Sequence, residues 1–259
     1  MSSLEAFILG LIQGLTEFLP ISSTGHLYLG RHAFGLNEAG IYLDTMLHIG
    51  TLFAVLVYYR EELVRIIRDP FGKLTWLLVV GTIPAVIAGV LFSDFFEEIS
   101  ETGVTVGWEF LVTGAFLWFS ESIKNGRKKM ADISYTDALV IGTFQAAAIL
   151  PAISRSGLTI VGALIRKLDR ETAAYFSFLL SIPAIAGGIL FQGLKLLEGS
   201  GPEISAGPLV IGTIASAAFG YVAVKWMIDF LKKGSLKWFA VYVWAIGAII
   251  ITAQFMGKW

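Results

Sequence analysis

Long apolar runs broken by short polar inserts dominate the chain. The apolar stretches fall at about 4–20, 41–59, 75–92, 108–123, 136–151, 158–165, 173–197, 208–231 and 238–256. None alternates with period two, so the pattern predicts helices rather than strands. A helix needs about 20 residues to cross a bilayer core. Six stretches approach that length: 41–59, 75–92, 108–123, 173–197, 208–231 and 238–256. The other two segments, 4–34 and 136–165, are each cut by a polar insert: Pro20-Ile21-Ser22-Ser23-Thr24-Gly25-His26 and Pro151-Ala152-Ile153-Ser154-Arg155-Ser156-Gly157.

Composition narrows the class. Of 259 residues, 56% are hydrophobic and 15% charged, and the mean hydropathy is +0.74. A soluble domain carries about 25% charged residues, so a soluble enzyme, a nucleic-acid binder and a disordered chain are all excluded. The net charge of −1 provides no field for nucleic acid. With no cysteine, thiolate nucleophiles, disulfides and cysteine-held zinc are impossible. The start, Met1-Ser2-Ser3-Leu4-Glu5, lacks the basic n-region of a signal peptide. The expected fold is a single all-α integral membrane domain over 1–259, with six transmembrane helices and two re-entrant helix hairpins.

Charge supplies orientation, because Lys and Arg favour cytoplasmic loops. Most of the 19 basic residues fall in four clusters: Arg60, Arg65, Arg68 and Lys73; Lys124, Arg127, Lys128 and Lys129; Arg166, Lys167 and Arg170; Lys232, Lys233 and Lys237. The loop 93–107 carries Asp94, Glu97, Glu98 and Glu101, and the loop 198–207 carries Glu198 and Glu203, with no base in either. Basic loops are therefore expected inside and acidic loops outside. Segment 136–165 then leaves and returns on the inside, which makes it a re-entrant hairpin. Irregular backbone at that depth requires surrounding protein or a water-filled cavity.

A shift of 132 residues lays Ala6 on Ala138, Gly10 on Gly142, Gln13 on Gln145, Ile21 on Ile153, Ser22 on Ser154 and Gly25 on Gly157. Two halves, about 1–127 and 133–259, are expected to form an inverted-topology repeat. Sites in such repeats lie near the bilayer midplane at the repeat interface. On this reading segment 4–34 is a hairpin entering from outside, both termini face outward, and the site opens toward the outer face. Pro84 and Pro183 read as helix kinks, His48 as a satisfied intramembrane polar group and His32 as interfacial. Trp108, Trp238 and Trp259 read as interface anchors.

An ionisable residue inside a membrane costs about 2.5–3.5 kcal/mol on insertion scales, so each one is a functional hypothesis. Gln13 and Glu17 are four apart and share a helix face. Between Ala138 and Ile165 the single charge is Arg155, whose partner must be either Glu17 or an anionic ligand. Ser22 or Ser23 would cap a helix with His26 in its first turn, and Ser154 or Ser156 would cap another, with Thr159 following. Helix N-termini attract phosphate. Two of them, with an arginine, suit a diphosphate. Magnesium binds through one or two carboxylates plus substrate phosphates, a role Glu17 fits with Gln13 beside it.

Gln13-Gly14-Leu15-Thr16-Glu17-Phe18-Leu19-Pro20-Ile21-Ser22-Ser23-Thr24-Gly25-His26 resembles the first signature of the bacterial undecaprenyl-diphosphate phosphatases of the bacitracin-resistance type. Leu150-Pro151-Ala152-Ile153-Ser154-Arg155-Ser156-Gly157-Leu158-Thr159 resembles the second, with Ala152 where the family usually has glycine. The resemblance implies a multi-pass enzyme of the bacterial plasma membrane. It would hydrolyse undecaprenyl diphosphate and recycle the carrier for peptidoglycan synthesis. It also implies a divalent cation, Mg2+ or alternatively Ca2+, held by Glu17 and Gln13. Arg155 would clamp the diphosphate, and Ser23 would attack phosphorus, activated by His26. The alternative makes His26 the nucleophile, or the base for a water. Ser22, Thr24, Gly25, Ser154, Ser156 and Thr159 would bind phosphate oxygens. The expected partners are a long-chain polyprenyl diphosphate and membrane lipids, and a homodimer is compatible with the reading.

Inverted repeats with broken helices are typical of transporters. A transporter or flippase of polyprenyl phosphate is therefore the competing function. The Ser23, His26 and Glu17 set beside Arg155 favours hydrolysis, since transport needs the cation but no nucleophile or base.

Overall fold

A computed structural model describes residues 1–36, 40–198 and 205–257. Its helices are α1 (Ser3–Phe18), α2 (Ser23–Phe34), α3 (Gly40–Tyr58), α4 (Arg60–Arg68), α5 (Lys73–Leu91) and α6 (Ser93–Thr102). They continue with α7 (Val106–Ser120), α8 (Tyr135–Ala147), α9 (Arg155–Ile165), α10 (Arg170–Glu198), α11 (Ala206–Lys233) and α12 (Lys237–Phe255). Each apolar stretch became a helix. Among the described residues α5, α10, α11 and α12 are long and apolar enough to cross a membrane, and α3 joins them if taken with α4, from which it bends by 74°. The expected sixth span, α7, has 15 residues.

Two segments expected as plain loops hold short helices. Helix α4 places Glu61 and Glu62 in its first turn and Arg65 and Arg68 in its last, matching the helix dipole at both ends. Helix α6 likewise opens with an acid, Asp94. Both α5 and α10 run on through Pro84 and Pro183. His32 is exposed near the end of α2, and Trp108 and Trp238 are exposed as anchors should be. Glu203 and Trp259 lie outside the described residues, as do the side chains of Glu97, Glu101 and Glu198.

Hydrogen bonds tie the basic segments into one layer. Lys73 Nζ donates to the Ala131 carbonyl (2.7 Å), the Lys128 N–H to the Lys167 carbonyl (3.1 Å), and Arg170 to the Gly234 carbonyl (2.7 Å). Arg170 also pairs with Glu121 at 2.8 Å. Burial opposes ionisation of Glu121, but hydrogen bonds from Arg170 and the Leu236 N–H outweigh it and hold the carboxyl below its ordinary value. At the opposite end of α7, Gln254 Nε2 donates to the Val104 carbonyl (3.1 Å).

Helices α8 and α9 form a hairpin that opens at the basic layer. Ser134 caps α8 in a capping box with Asp137. The buried Asp137 carboxylate also accepts from Lys128 Nζ (2.9 Å) and Arg166 Nε (2.7 Å), binding the start of α8 to the end of α9. Helices α1 and α2 form the other hairpin, which opens at the far end. Arg31 on α2 pairs with Asp44 at the top of α3 (3.4 Å). Helix α3 then descends to Tyr59, whose hydroxyl donates to the Tyr175 carbonyl (3.0 Å) beside the basic layer.

Small residues let these helices approach closely, as membrane packing requires. Helix α1 packs on α11, α8 on α5 and α7 on α12. A methyl group added at Gly10 would overlap the Gly212 carbonyl, and one at Gly142 the Gly81 carbonyl. Ser3 and Tyr135 open their hairpins 132 residues apart, and so do Ser23 and Arg155 in the returning helices. Each hairpin thus packs on a helix from the other half of the chain, which brings the two tips face to face.

Candidate active site

The tips are built from their caps. Ser22 is the N-cap of α2, and its hydroxyl accepts from the Gly25 N–H (3.2 Å) and donates to the Pro151 carbonyl of the opposite tip (3.3 Å). Ser22 has φ +69°, a left-handed backbone that costs a residue with a side chain about 1 kcal/mol or more and clusters at functional sites. Ser154 is the N-cap of α9; its hydroxyl accepts from the Gly157 N–H (3.1 Å), and its own N–H donates to Thr113 (3.2 Å). Ser156 returns the contact by donating to the Leu19 carbonyl (2.9 Å). Each loop therefore hydrogen-bonds the other's backbone.

Glu17, 7% exposed, is the hub. One oxygen, Oε1, pairs with Arg155 Nη2 from the second hairpin. The other, Oε2, accepts from Ser23 Oγ (2.6 Å) and from Gln13 Nε2 (3.0 Å), and His48 Nε2 lies 3.6 Å away. Of the two partners expected for Arg155, the protein supplies Glu17. Two atoms around this hub are buried and without a hydrogen-bond partner among the described residues: Arg155 Nη1 and Gln13 Oε1. An unpaired buried polar atom costs about 1–3 kcal/mol. These two leave one donor and one acceptor open on residues that touch the Glu17 carboxylate.

Ser23 and His26 do not pair as expected. In the first turn of α2 the His26 ring leans back on its own cap, where Nδ1–H donates to the Ser22 carbonyl (2.7 Å). That leaves Nε2 of the neutral ring to accept from the Tyr242 hydroxyl (2.9 Å). The ring also stacks on Tyr242 (centroids 5.7 Å apart) and meets the edge of Phe110 (5.3 Å). The group beside the Ser23 hydroxyl is Glu17.

Several residues expected to bind phosphate hold the tips together. Ser22, Ser154 and Ser156 make the cross-loop and capping bonds above. Thr159 donates to the Arg155 carbonyl (2.8 Å) and shares a hydrogen bond with Ser177. Gly25 is required by close approach, since a methyl group there would strike the Phe110 ring. Thr24 is half-buried in the first turn of α2. Ala152 is accommodated: among the described residues the non-glycine positive φ angles belong to Ser22 and Lys167. The backbone at 152 therefore does not demand glycine.

Three participants escaped the sequence reading. His48 belongs to the hub and is not merely a satisfied polar group in the membrane. Tyr242 fixes His26. Glu109, on α7, accepts from the Ala152 N–H through Oε2 (2.5 Å) and from the Thr105 hydroxyl through Oε1 (2.6 Å), anchoring the second tip. The signal was available for two of them, because Glu109 and the Asp44–His48 pair are ionisable groups inside apolar stretches.

An apolar helical bundle in which two hairpin tips gather a half-buried arginine with a buried carboxylate and serine defines an integral membrane protein with a polar interior site. The bacitracin resistance protein BacA family matches residues 6–249. This chain belongs to that family. It is 67% identical over 255 residues to Undecaprenyl-diphosphatase 4 of Bacillus thuringiensis (strain Al Hakam), covering 98% of each chain. It is 66% identical over 255 residues to an Undecaprenyl-diphosphatase 4 of Bacillus cereus, again covering 98% of each. With Undecaprenyl-diphosphatase of Carboxydothermus hydrogenoformans the identity is 48% over 260 residues and the full length of both chains.

Proposed function

We propose that this protein hydrolyses undecaprenyl diphosphate to undecaprenyl phosphate and inorganic phosphate, returning the lipid carrier to peptidoglycan and envelope synthesis. The names of its relatives support the substrate. The observation that carries the chemistry is the sharing of one Glu17 carboxylate by the Ser23 hydroxyl and the Arg155 guanidinium. The setting is the bacterial plasma membrane. The two halves act as an inverted pair with the site between them, opening to the outer face, both termini outside and the prenyl tail in lipid.

Glu17 takes the Ser23 proton as Oγ bonds the terminal phosphorus, and the bond from that phosphorus to the bridging oxygen breaks. Undecaprenyl phosphate leaves. Water then attacks the phosphoserine, and its oxygen and hydrogens go with the inorganic phosphate. The proton held by Glu17 returns to Ser23 as the phosphorus–Oγ bond breaks. Arg155 keeps Nη2 on Glu17 and offers Nη1, which has no partner among the described residues, to phosphate oxygens. The first N–H groups of α2 and α9 lack helical carbonyl partners and add donors.

A divalent cation fits this donor set. Glu17 supplies a carboxylate and Gln13 a buried amide oxygen without a partner, both oxygen ligands of the kind magnesium takes. Such an ion, when bound, neutralises phosphate charge as a Lewis acid.

The test is phosphate release from a long-chain prenyl diphosphate by the purified protein, with acid quenching during turnover. A phosphoserine at Ser23 is expected; phosphohistidine at His26 would overturn the assignment of the nucleophile. Glu109 acts one step removed, through the second tip. Glu109→Ala leaves the Ala152 N–H unpaired and should lower kcat about tenfold to a hundredfold by misplacing Arg155. Glu109→Gln keeps an acceptor and should restore most of that loss. Equal loss in both variants would refute the positioning role.

A further inference from the structure

We infer that His48 is a third ligand of the cation site, making it a mixed nitrogen–oxygen site that favours first-row transition ions over magnesium. The inference rests on the reading that Glu17 and Gln13 hold a cation. His48 Nδ1 lies 2.7 Å from the Asp44 carbonyl, which can only accept, so Nδ1 carries the proton. Nε2 then points at Glu17 Oε2 from 3.6 Å, beyond hydrogen-bond length, and as an unprotonated nitrogen it would offer that side a lone pair.

The separation has room for a cation between the two atoms. Two ligands at about 2.1 Å from a tetrahedral ion stand about 3.4 Å apart, close to the observed separation. A backbone carbonyl fixing the far ring nitrogen is the usual support of a metal-bound histidine. The third ligand is Gln13, whose side chain is fully buried; its Nε2 already touches the same Oε2, and its Oε1 has no partner among the described residues. A half-turn of the amide exchanges the donor for that oxygen. Among the described residues no three of histidine, aspartate and glutamate gather around one point, so the amide is needed to complete the set. Imidazole binds transition ions better than it binds magnesium.

Mn2+ alone, titrated into the purified full-length protein in detergent, tests the proposal by pulsed electron paramagnetic resonance. A coupling from one imidazole nitrogen is expected in the wild type. It should vanish in His48→Ala and His48→Gln, with Mn2+ affinity at least tenfold weaker and the preference for Mn2+ over Mg2+ reduced. The chain has three histidines, and a coupling that survives in both variants would assign the nitrogen elsewhere and overturn the proposal. Binding that disappears in Glu17→Ala but shows no nitrogen coupling in the wild type would sink His48 alone. No Mn2+ binding at all would remove the cation reading and His48 together. Circular dichroism on each variant separates lost ligation from lost fold.

Discussion

Arg155→Ala should lower phosphate release by about a hundredfold to a thousandfold or more. A single preorganised donor at the position of developing charge is worth about that much, and Arg155 is the one charge that the second hairpin brings to the hub. Its guanidinium has one nitrogen on Glu17 and another buried without a partner. The loss should therefore appear in kcat as well as in KM. Arg155→Lys retains the charge but not the planar fork, so it should recover only part of the rate. Turnover by Arg155→Ala within tenfold of wild type would remove the arginine from the reaction.

Glu17 should produce two separable effects. Glu17→Gln preserves shape but cannot take the Ser23 proton, and a missing general base costs about a hundredfold to ten-thousandfold. Glu17→Ala also strands Arg155 in the interior, where breaking a buried ion pair costs about 3–5 kcal/mol. The thermal midpoint in detergent should fall clearly for Glu17→Ala and recover in part for Glu17→Ala combined with Arg155→Ala. Such a rescue is the mark of direct coupling. Additive losses in the double variant would contradict the ion pair.

The apolar runs named every long helix, because burial in lipid demands continuous hydrophobicity and leaves the backbone only helical solutions. The two tips could be read from their Pro, Ser and Gly spacing, and N-cap chemistry narrowed each cap to two serines, of which Ser22 and Ser154 take the position. The pairing of Arg155 with Glu17 was accessible because an isolated charge in an apolar segment needs a counter-ion. Side-chain direction was not. Ser23 and His26 share a helical turn, but nothing in their spacing says that His26 leans back to Ser22 while Ser23 points to Glu17. His48 and Tyr242 reach the site from α3 and α12, and that convergence depends on how the helices cross. Helices α4 and α6 were hidden for another reason: both are short and rich in charge, outside any long apolar run.

The reciprocal bonds between the tips, Ser22 to the Pro151 carbonyl and Ser156 to the Leu19 carbonyl, bear on biosynthesis. On the mechanism proposed above, the amino-terminal portion emerges from the ribosome with Ser23 and Glu17 but without Arg155 or the second tip that pairs with them. Competence arrives only when the later hairpin is threaded into the bilayer and docks. On that mechanism a partly synthesised chain would not attack the phosphorylated lipids around it.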